Sequence, residues 1–223
     1  MAVICLLHGA WHDPTCWDDV VAELRARGHR ALAPDLPLGD PATTYAERVR
    51  PVLHALSVAR ADDGGPVVIV GHSMGASYAP LVAAALPGAL TVRLCPGLGP
   101  LRAGFPWPPA GPDGISAWDP QAAVAALYSR LEPERARRFA ARLRPMAPAA
   151  GRYPLGRAER AALPTVVVCA ADDELFAIET ERDRARAALG VDPVEIPGGH
   201  LPMLTDPAGL AALLEGFTRR CAP

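Results

Sequence analysis

Residues 66–77 read Pro-Val-Val-Ile-Val-Gly-His-Ser-Met-Gly-Ala-Ser. Val67, Val68, Ile69 and Val70 are apolar and β-branched, with no polar alternation. A strand of that kind has to be covered on both faces, as the strands of a parallel sheet are. Gly71-His72-Ser73-Met74-Gly75 follows at once, a G-x-S-x-G sequence. Residues 76–86 are then rich in Ala with Leu and Val, which suits a helix. Strand, sharp turn and helix form the setting in which this sequence exposes a serine hydroxyl as a nucleophile. The backbone of such a serine is strained, and Gly71 and Gly75 present no Cβ to collide as the turn tightens. Ser73 is therefore expected at the carboxyl end of a sheet and the N-terminus of a helix.

The remaining chain supplies the sheet and its covering. Apolar runs predict strands at 3–7, 30–33, 90–95, 165–170 and 193–196. Between them the spacing turns helical. Asp13-Pro14 has the look of an N-cap followed by Pro at the first helical position, and Gly28 stands where that helix should close. A helix over 41–59 carries Val49, Val52, Leu53 and Leu56 on one face, and Asp62-Asp63-Gly64-Gly65 reads as the loop into the central strand. A helix over 176–189 is closed by Gly190, and a last one starts at Asp206-Pro207. Alternating strands and helices imply an α/β fold, a mostly parallel sheet with helices on both faces. With 223 residues, 1–223 can form one domain with a substantial core.

One segment breaks the rhythm. Residues 96–114 are crowded with Pro and Gly around Phe105 and Trp107, which forbids a regular element. Two helices are expected after it, at 120–131 and 133–143, the second with an Arg-rich face read as solvated. Residues 97–160 thus read as an insertion covering one end of the sheet. Its large apolar side chains Phe105, Trp107 and Trp118, with Trp11 and His12 from the first turn, are the candidate substrate-pocket residues.

Several function classes drop out. The formal net charge of -2 offers no basic field for nucleic acid or an anionic membrane, so neither is an expected partner. No apolar run reaches the length of a membrane span. Residues 3–7 read as a strand with no basic segment ahead of it, which predicts no secretory leader. Five cysteines is an odd number with no zinc or redox spacing, and reduced thiols in the cytoplasm are the expectation. All 22 basic residues are Arg and none is Lys. P-loop, Schiff-base and pyridoxal-phosphate chemistry each need a lysine and are excluded. No cofactor or metal is expected.

A serine hydroxyl needs a base, and the base needs an orienting acid. Of six histidines, His8 and His72 belong to turn motifs, His29 lies at the wrong end of the sheet and His54 lies within a helix. His12 could approach the site but precedes Ser73. His200, in the loop Pro197-Gly198-Gly199 just past the last strand, lies at the edge where groups converge in open α/β sheets. The acid should follow the strand at 165–170, where Asp172 and Asp173 are both available. The N–H groups of Met74 and Ala10 are the candidate oxyanion donors.

These motifs together resemble those of the α/β-hydrolases, whose triads run in the order Ser, Asp, His. His8-Gly9-Ala10-Trp11-His12 with Cys16-Trp17 resembles the methylesterase and hydroxynitrile lyase branch and its bacterial esterase relatives. The resemblance covers 2–95 and 164–217 and implies the α/β-hydrolase fold with a cap. Asp173-Glu174-Leu175-Phe176 resembles that branch's acid loop, in which the Asp directly before Glu is the triad member; this selects Asp173. The resemblance implies a serine esterase acting on a small-molecule carboxylic ester through an acyl-enzyme. The alternatives are a thioesterase or lactone-processing enzyme, or a receptor that uses the pocket only for binding. Lyases of the branch place Lys after the triad His and Thr at the position of Gly9. Leu201 and Gly9 therefore point to hydrolysis, with Gly9 leaving room for an ester oxygen.

Overall fold

The computed structural model describes residues 1–60 and 65–221; the expected loop at 62–64 lies outside them. Six strands form one sheet, all pairs parallel, in the order β2-β1-β3-β4-β5-β6. They are β1 (Val3–Leu7), β2 (Arg30–Leu32), β3 (Val67–His72), β4 (Leu90–Leu94), β5 (Thr165–Ala170) and β6 (Val194–Ile196). The helices are α1 (Asp18–Ala26), α2 (Tyr45–Ala59), α3 (Gly75–Ala84), α4 (Pro120–Leu127), α5 (Pro133–Ala140), α6 (Arg157–Ala162), α7 (Ile178–Leu189), α8 (Pro202–Thr205) and α9 (Pro207–Thr218). Helices flank the sheet: α1 packs on α9, α2 on α3, and α7 on β5. Every residue of β1 and β3 is buried, which is why neither strand shows polar alternation.

Local chemistry moves several expected boundaries. Asp13 does cap a helical turn, its carboxylate accepting the Thr15 N–H at 2.9 Å, but that turn is a separate 3-10 segment, Pro14–Trp17. The helix expected from 41 begins at Tyr45, because Thr44 and Glu47 exchange bonds in a capping box. The helix expected from 176 begins at Ile178, because Asp173 holds the N–H groups of Leu175 and Phe176 in a turn. Gly28 and Gly190 close their helices at φ +81° and +69°.

The β4–β5 connection carries α4, α5 and α6 and lies over the carboxyl ends of the strands. Ala136, Phe139 and Ala140 of α5 are buried, as their stripe implies. The opposite face is more than solvated: Arg135 pairs with Asp19 of α1 at 2.6 Å. All five cysteines are free thiols. Among the described residues no helix is long and apolar enough to cross a membrane.

Candidate active site

Ser73 sits between β3 and α3 with φ at +50°, in the left-handed region that a side chain occupies only under constraint. The constraint is visible. The Ser73 N–H donates to the Leu94 carbonyl at 2.9 Å, extending the β3–β4 ladder into the turn. A Cβ on Gly71 would strike the Gly75 carbonyl, and one on Gly75 would come within 2.6 Å of the Leu7 and His8 carbonyls. Both glycines are therefore demanded by close approach of backbone.

Gly9 reads differently from expectation. A Cβ there would meet His72 Nδ1 at 2.8 Å and Ser73 Cβ at 3.2 Å. The space it leaves is taken by the nucleophile turn, so Gly9 serves packing beneath Ser73 rather than room for an ester oxygen.

His200 and Asp173 are buried and bonded to each other. His200 Nδ1–H donates to Asp173 Oδ2 at 2.7 Å. Asp173 Oδ1 accepts the Leu175 and Phe176 N–H groups at 2.8 and 3.0 Å. These bonds fix the carboxylate's orientation and hold it as an acceptor. Asp172, adjacent in sequence, is exposed and is tied by its N–H to the Gly198 carbonyl at 2.9 Å. The His200 loop is clamped from two sides. Its N–H donates to Glu174 Oε2 at 2.9 Å, and its carbonyl accepts His72 Nε2–H at 2.8 Å. That bond leaves His72 Nδ1 as a buried lone pair with no partner among the described residues. Burial holds His72 well below the usual imidazole range, so it is neutral.

A cavity of about 20 Å³ joins these groups, lined by Ser73 and His200 with Ala10, Trp11, His12, His72, Trp107, Leu127 and Leu175. Among the described residues neither the Ala10 nor the Met74 N–H has a protein acceptor. His12 Nδ1–H donates to the Ala10 carbonyl at 2.8 Å, and its Nε2 accepts from the Tyr128 hydroxyl at 2.9 Å. Burial lowers its pKa to about 4, which keeps the ring neutral and both bonds intact. Trp107 reaches the cavity from the connection; Phe105 and Trp118 do not line it. Those two stack behind, Phe105 on Trp107 and Trp118, and Trp118 on Trp11.

Cys95 Sγ, an Asp173 oxygen and a His200 nitrogen lie within 4.8 Å of one another, a grouping with metal-ligand composition. Burial, followed by the nearby Asp173 charge, pushes the Cys95 thiol well up, so it stays protonated. A neutral thiol beside a carboxylate already committed to three N–H donors is a poor cage. The trio is better described as the His–Asp pair with a thiol packed against it. Cys95 has φ +45°, in the left-handed region with Ser73 and Trp11.

Sequence reasoning overlooked the supports. Arg144 donates its N–H to the Trp11 carbonyl at 2.7 Å, and its guanidinium bonds the His12 carbonyl at 2.9 Å and Asp35 at 2.6 Å. Arg130 pairs with Glu174, whose other oxygen holds His200. Tyr128 and Leu127 belong to a stretch that read only as a helix. The one available signal was the Arg-only composition, since guanidinium forks bond carbonyls and carboxylates together.

Comparison with known proteins agrees with the fold. A family model described as alpha/beta hydrolase family matches residues 4–213. The chain is 44% identical over 77 residues to esterase PIR7B of Oryza sativa subsp. japonica, a match covering 31% of this chain and 28% of that protein's length. It is 29% identical over 249 aligned positions to the pyrethroid hydrolase of Sphingobium wenxiniae, covering 96% of this chain and 86% of that one. Tomato methylketone synthase I, in an H243A variant complexed with beta-ketoheptanoate, superposes with a TM-score of 0.78 at 18% identity, over 99% and 98% of the two chains.

Proposed function

The chain belongs to the alpha/beta hydrolase family, and we propose that within it the protein is a serine esterase that cleaves a small-molecule carboxylic ester. The observation that carries this reading is that His200, bonded to Asp173 at 2.7 Å, lines one cavity with the strained Ser73. Ser73 Oγ attacks the acyl carbon and gives its proton to His200 Nε2. Asp173 accepts from Nδ1–H, which fixes the tautomer and stabilises the imidazolium that forms. The Ala10 and Met74 N–H groups receive the oxyanion, each worth about two to three orders of magnitude in rate. His200 returns the proton to the leaving oxygen, and the same groups activate water against the acyl-enzyme. Residues 97–160 act as the cap. The free thiols fit a reducing, cytoplasmic setting.

Hydrolysis is favoured over cyanohydrin cleavage. The residue after His200 is the buried Leu201 and the chain has no Lys, so no lysine ammonium stands there to receive a departing cyanide.

The test combines labelling and turnover. A fluorophosphonate should label Ser73 alone, and Ser73→Ala should abolish both the label and p-nitrophenyl ester turnover. Folded protein that takes no label and turns over no ester would sink the reading and favour a binding role. Ser73-dependent cyanide release from mandelonitrile at a rate comparable to ester turnover would reassign the chemistry.

A further inference from the structure

Trp11 stands in a conformation that favours glycine, with φ at +59°. The largest side chain in the alphabet is kept where none at all would cost the backbone least. The side chain is 3% exposed and held on three sides. Its Nε1–H donates to Ser116 Oγ at 3.1 Å, and its ring meets Trp107 at 4.5 Å and Trp118 at 5.7 Å in edge-on contacts. Its own carbonyl is fixed by the Arg144 N–H. A side chain so constrained is a wall, not a mobile flap.

Two spaces adjoin it. The first is the cavity of about 20 Å³ at Ser73, room for little more than a water or a methyl group. The second is a groove of about 400 Å³ lined by Pro37, Leu38 and Pro145, with the Asp35–Arg144 pair also on its lining. Trp11 and His12 line both spaces. The two charges of that pair neutralise each other, so the groove suits an apolar chain rather than an anion.

We propose that Trp11 is the size-selecting wall of the acyl site. It confines the substrate to esters of small, uncharged acids and closes off a groove that would otherwise take a longer acyl chain. This rests on the esterase reading. The leaving oxygen has to lie beside His200, which returns its proton, and the oxyanion beside Ala10. The remaining substituent on the acyl carbon then faces the rest of the cavity lining, to which Trp11 belongs.

The experiment is a p-nitrophenyl ester series of acetate, butyrate and octanoate. A parallel series of acetate esters of lengthening alcohols accompanies it, on wild type, Trp11→Ala, Trp11→Gly and Trp11→Phe. Wild type should lose at least about tenfold in kcat/KM from acetate to octanoate, and the Ala or Gly variant should reverse that order. Trp11→Gly suits the left-handed backbone and Trp11→Phe keeps the packing, so at least one folded variant is expected; Phe should extend tolerance as far as butyrate. An unchanged acyl order in variants that still hydrolyse the acetate, or a change confined to the alcohol series, would overturn the wall. A wild type that favours octanoate would do so too. If wild type cleaves no ester and Ser73 takes no fluorophosphonate, the esterase reading fails and the wall falls with it.

Discussion

Two regions meet at Ser73, and different bonds hold them. At the carboxyl edge of the sheet the backbone does the holding. Ser73 N–H reaches Leu94, Cys95 reaches Val168, Ala171 reaches Ile196 and Asp172 reaches Gly198, all at 2.8–2.9 Å. Each bond carries a ladder one step into a loop, so the loops inherit the rigidity of the strands. The β4–β5 connection has no ladder to inherit. It meets that edge through isolated backbone bonds, from the Arg102, Arg144 and Ala147 N–H groups to the Leu175, Trp11 and Leu38 carbonyls at 2.7–2.8 Å, and through side chains, mostly arginines. Arg102 bonds the Asp173 carbonyl at 3.0 Å, and Arg130 bonds the Asp172 carbonyl at 3.1 Å along with Glu174. Arg142 reaches Asp13 at 2.7 Å and Arg144 reaches Asp35 at 2.6 Å. From the core side, the fully buried Arg48 spans the gap in reverse, bonding the Ala147 and Pro148 carbonyls at 3.0 Å and the Tyr78 hydroxyl. The edge at Ser73 rests on peptide ladders, while the connection adds to its few backbone bonds a set of side-chain pairs that single substitutions can cut.

The largest effect should come from the backbone-held region and leave the fold alone. Asp173→Asn should lower kcat/KM for a p-nitrophenyl ester by about three to four orders of magnitude, because the amide cannot hold the His200 tautomer. Asp172→Asn, one residue away but facing solvent, should change it by less than about tenfold. Equal losses at the two positions would mean that the acid loop acts as a unit and that the contrast between side chain and scaffold is false.

Next comes the seam between the regions, the His12–Tyr128 bond. An unfolded histidine titrates near 6.5 and folded His12 near about 4, so the unfolded state binds more protons between those values. Stability should therefore be fully present above about pH 6.5 and fall as the pH drops toward 4, by about 3 kcal/mol from this ring. Neutral His72 adds to the same slope. Urea melts at pH 7 and pH 5 check the sign. His12→Gln, which keeps a donor and an acceptor, should flatten the dependence; a slope as steep as wild type would show that His12 is not the neutral partner.

The smallest effect belongs to the most exposed tie. Arg130→Ala removes a surface pair and should cost less than about 1 kcal/mol of stability. Because Glu174 also holds the His200 N–H, kcat should fall several-fold while KM moves little. Glu174→Gln, which keeps an acceptor for that N–H, should retain more activity than Glu174→Ala. A KM effect without a kcat effect would place Arg130 in the pocket wall and not behind the histidine.

The strand, turn and helix around 66–77 and the loop after the last strand were legible in the chain itself. Ladder strands and close-packed glycines are local requirements, written in consecutive residues. β-branched runs call for a buried strand, and two glycines call for backbone contact on either side of Ser73. The same sequence left Asp172 and Asp173 equal until a family resemblance chose between them; in three dimensions the choice is made by which carboxylate turns under His200. It gave Gly9 the wrong task and the Arg-rich face too small a one, and it could not separate Trp107, which reaches the cavity, from Phe105 and Trp118, which stack behind it. The packing of Trp11, the groove beside it and the arginine ties depend on residues far apart in the chain, Trp11 and Ser116 by 105 positions and Arg142 and Asp13 by 129. No spacing in the chain encodes where such groups meet, because long side chains reach their partners only after the sheet has brought the loops together.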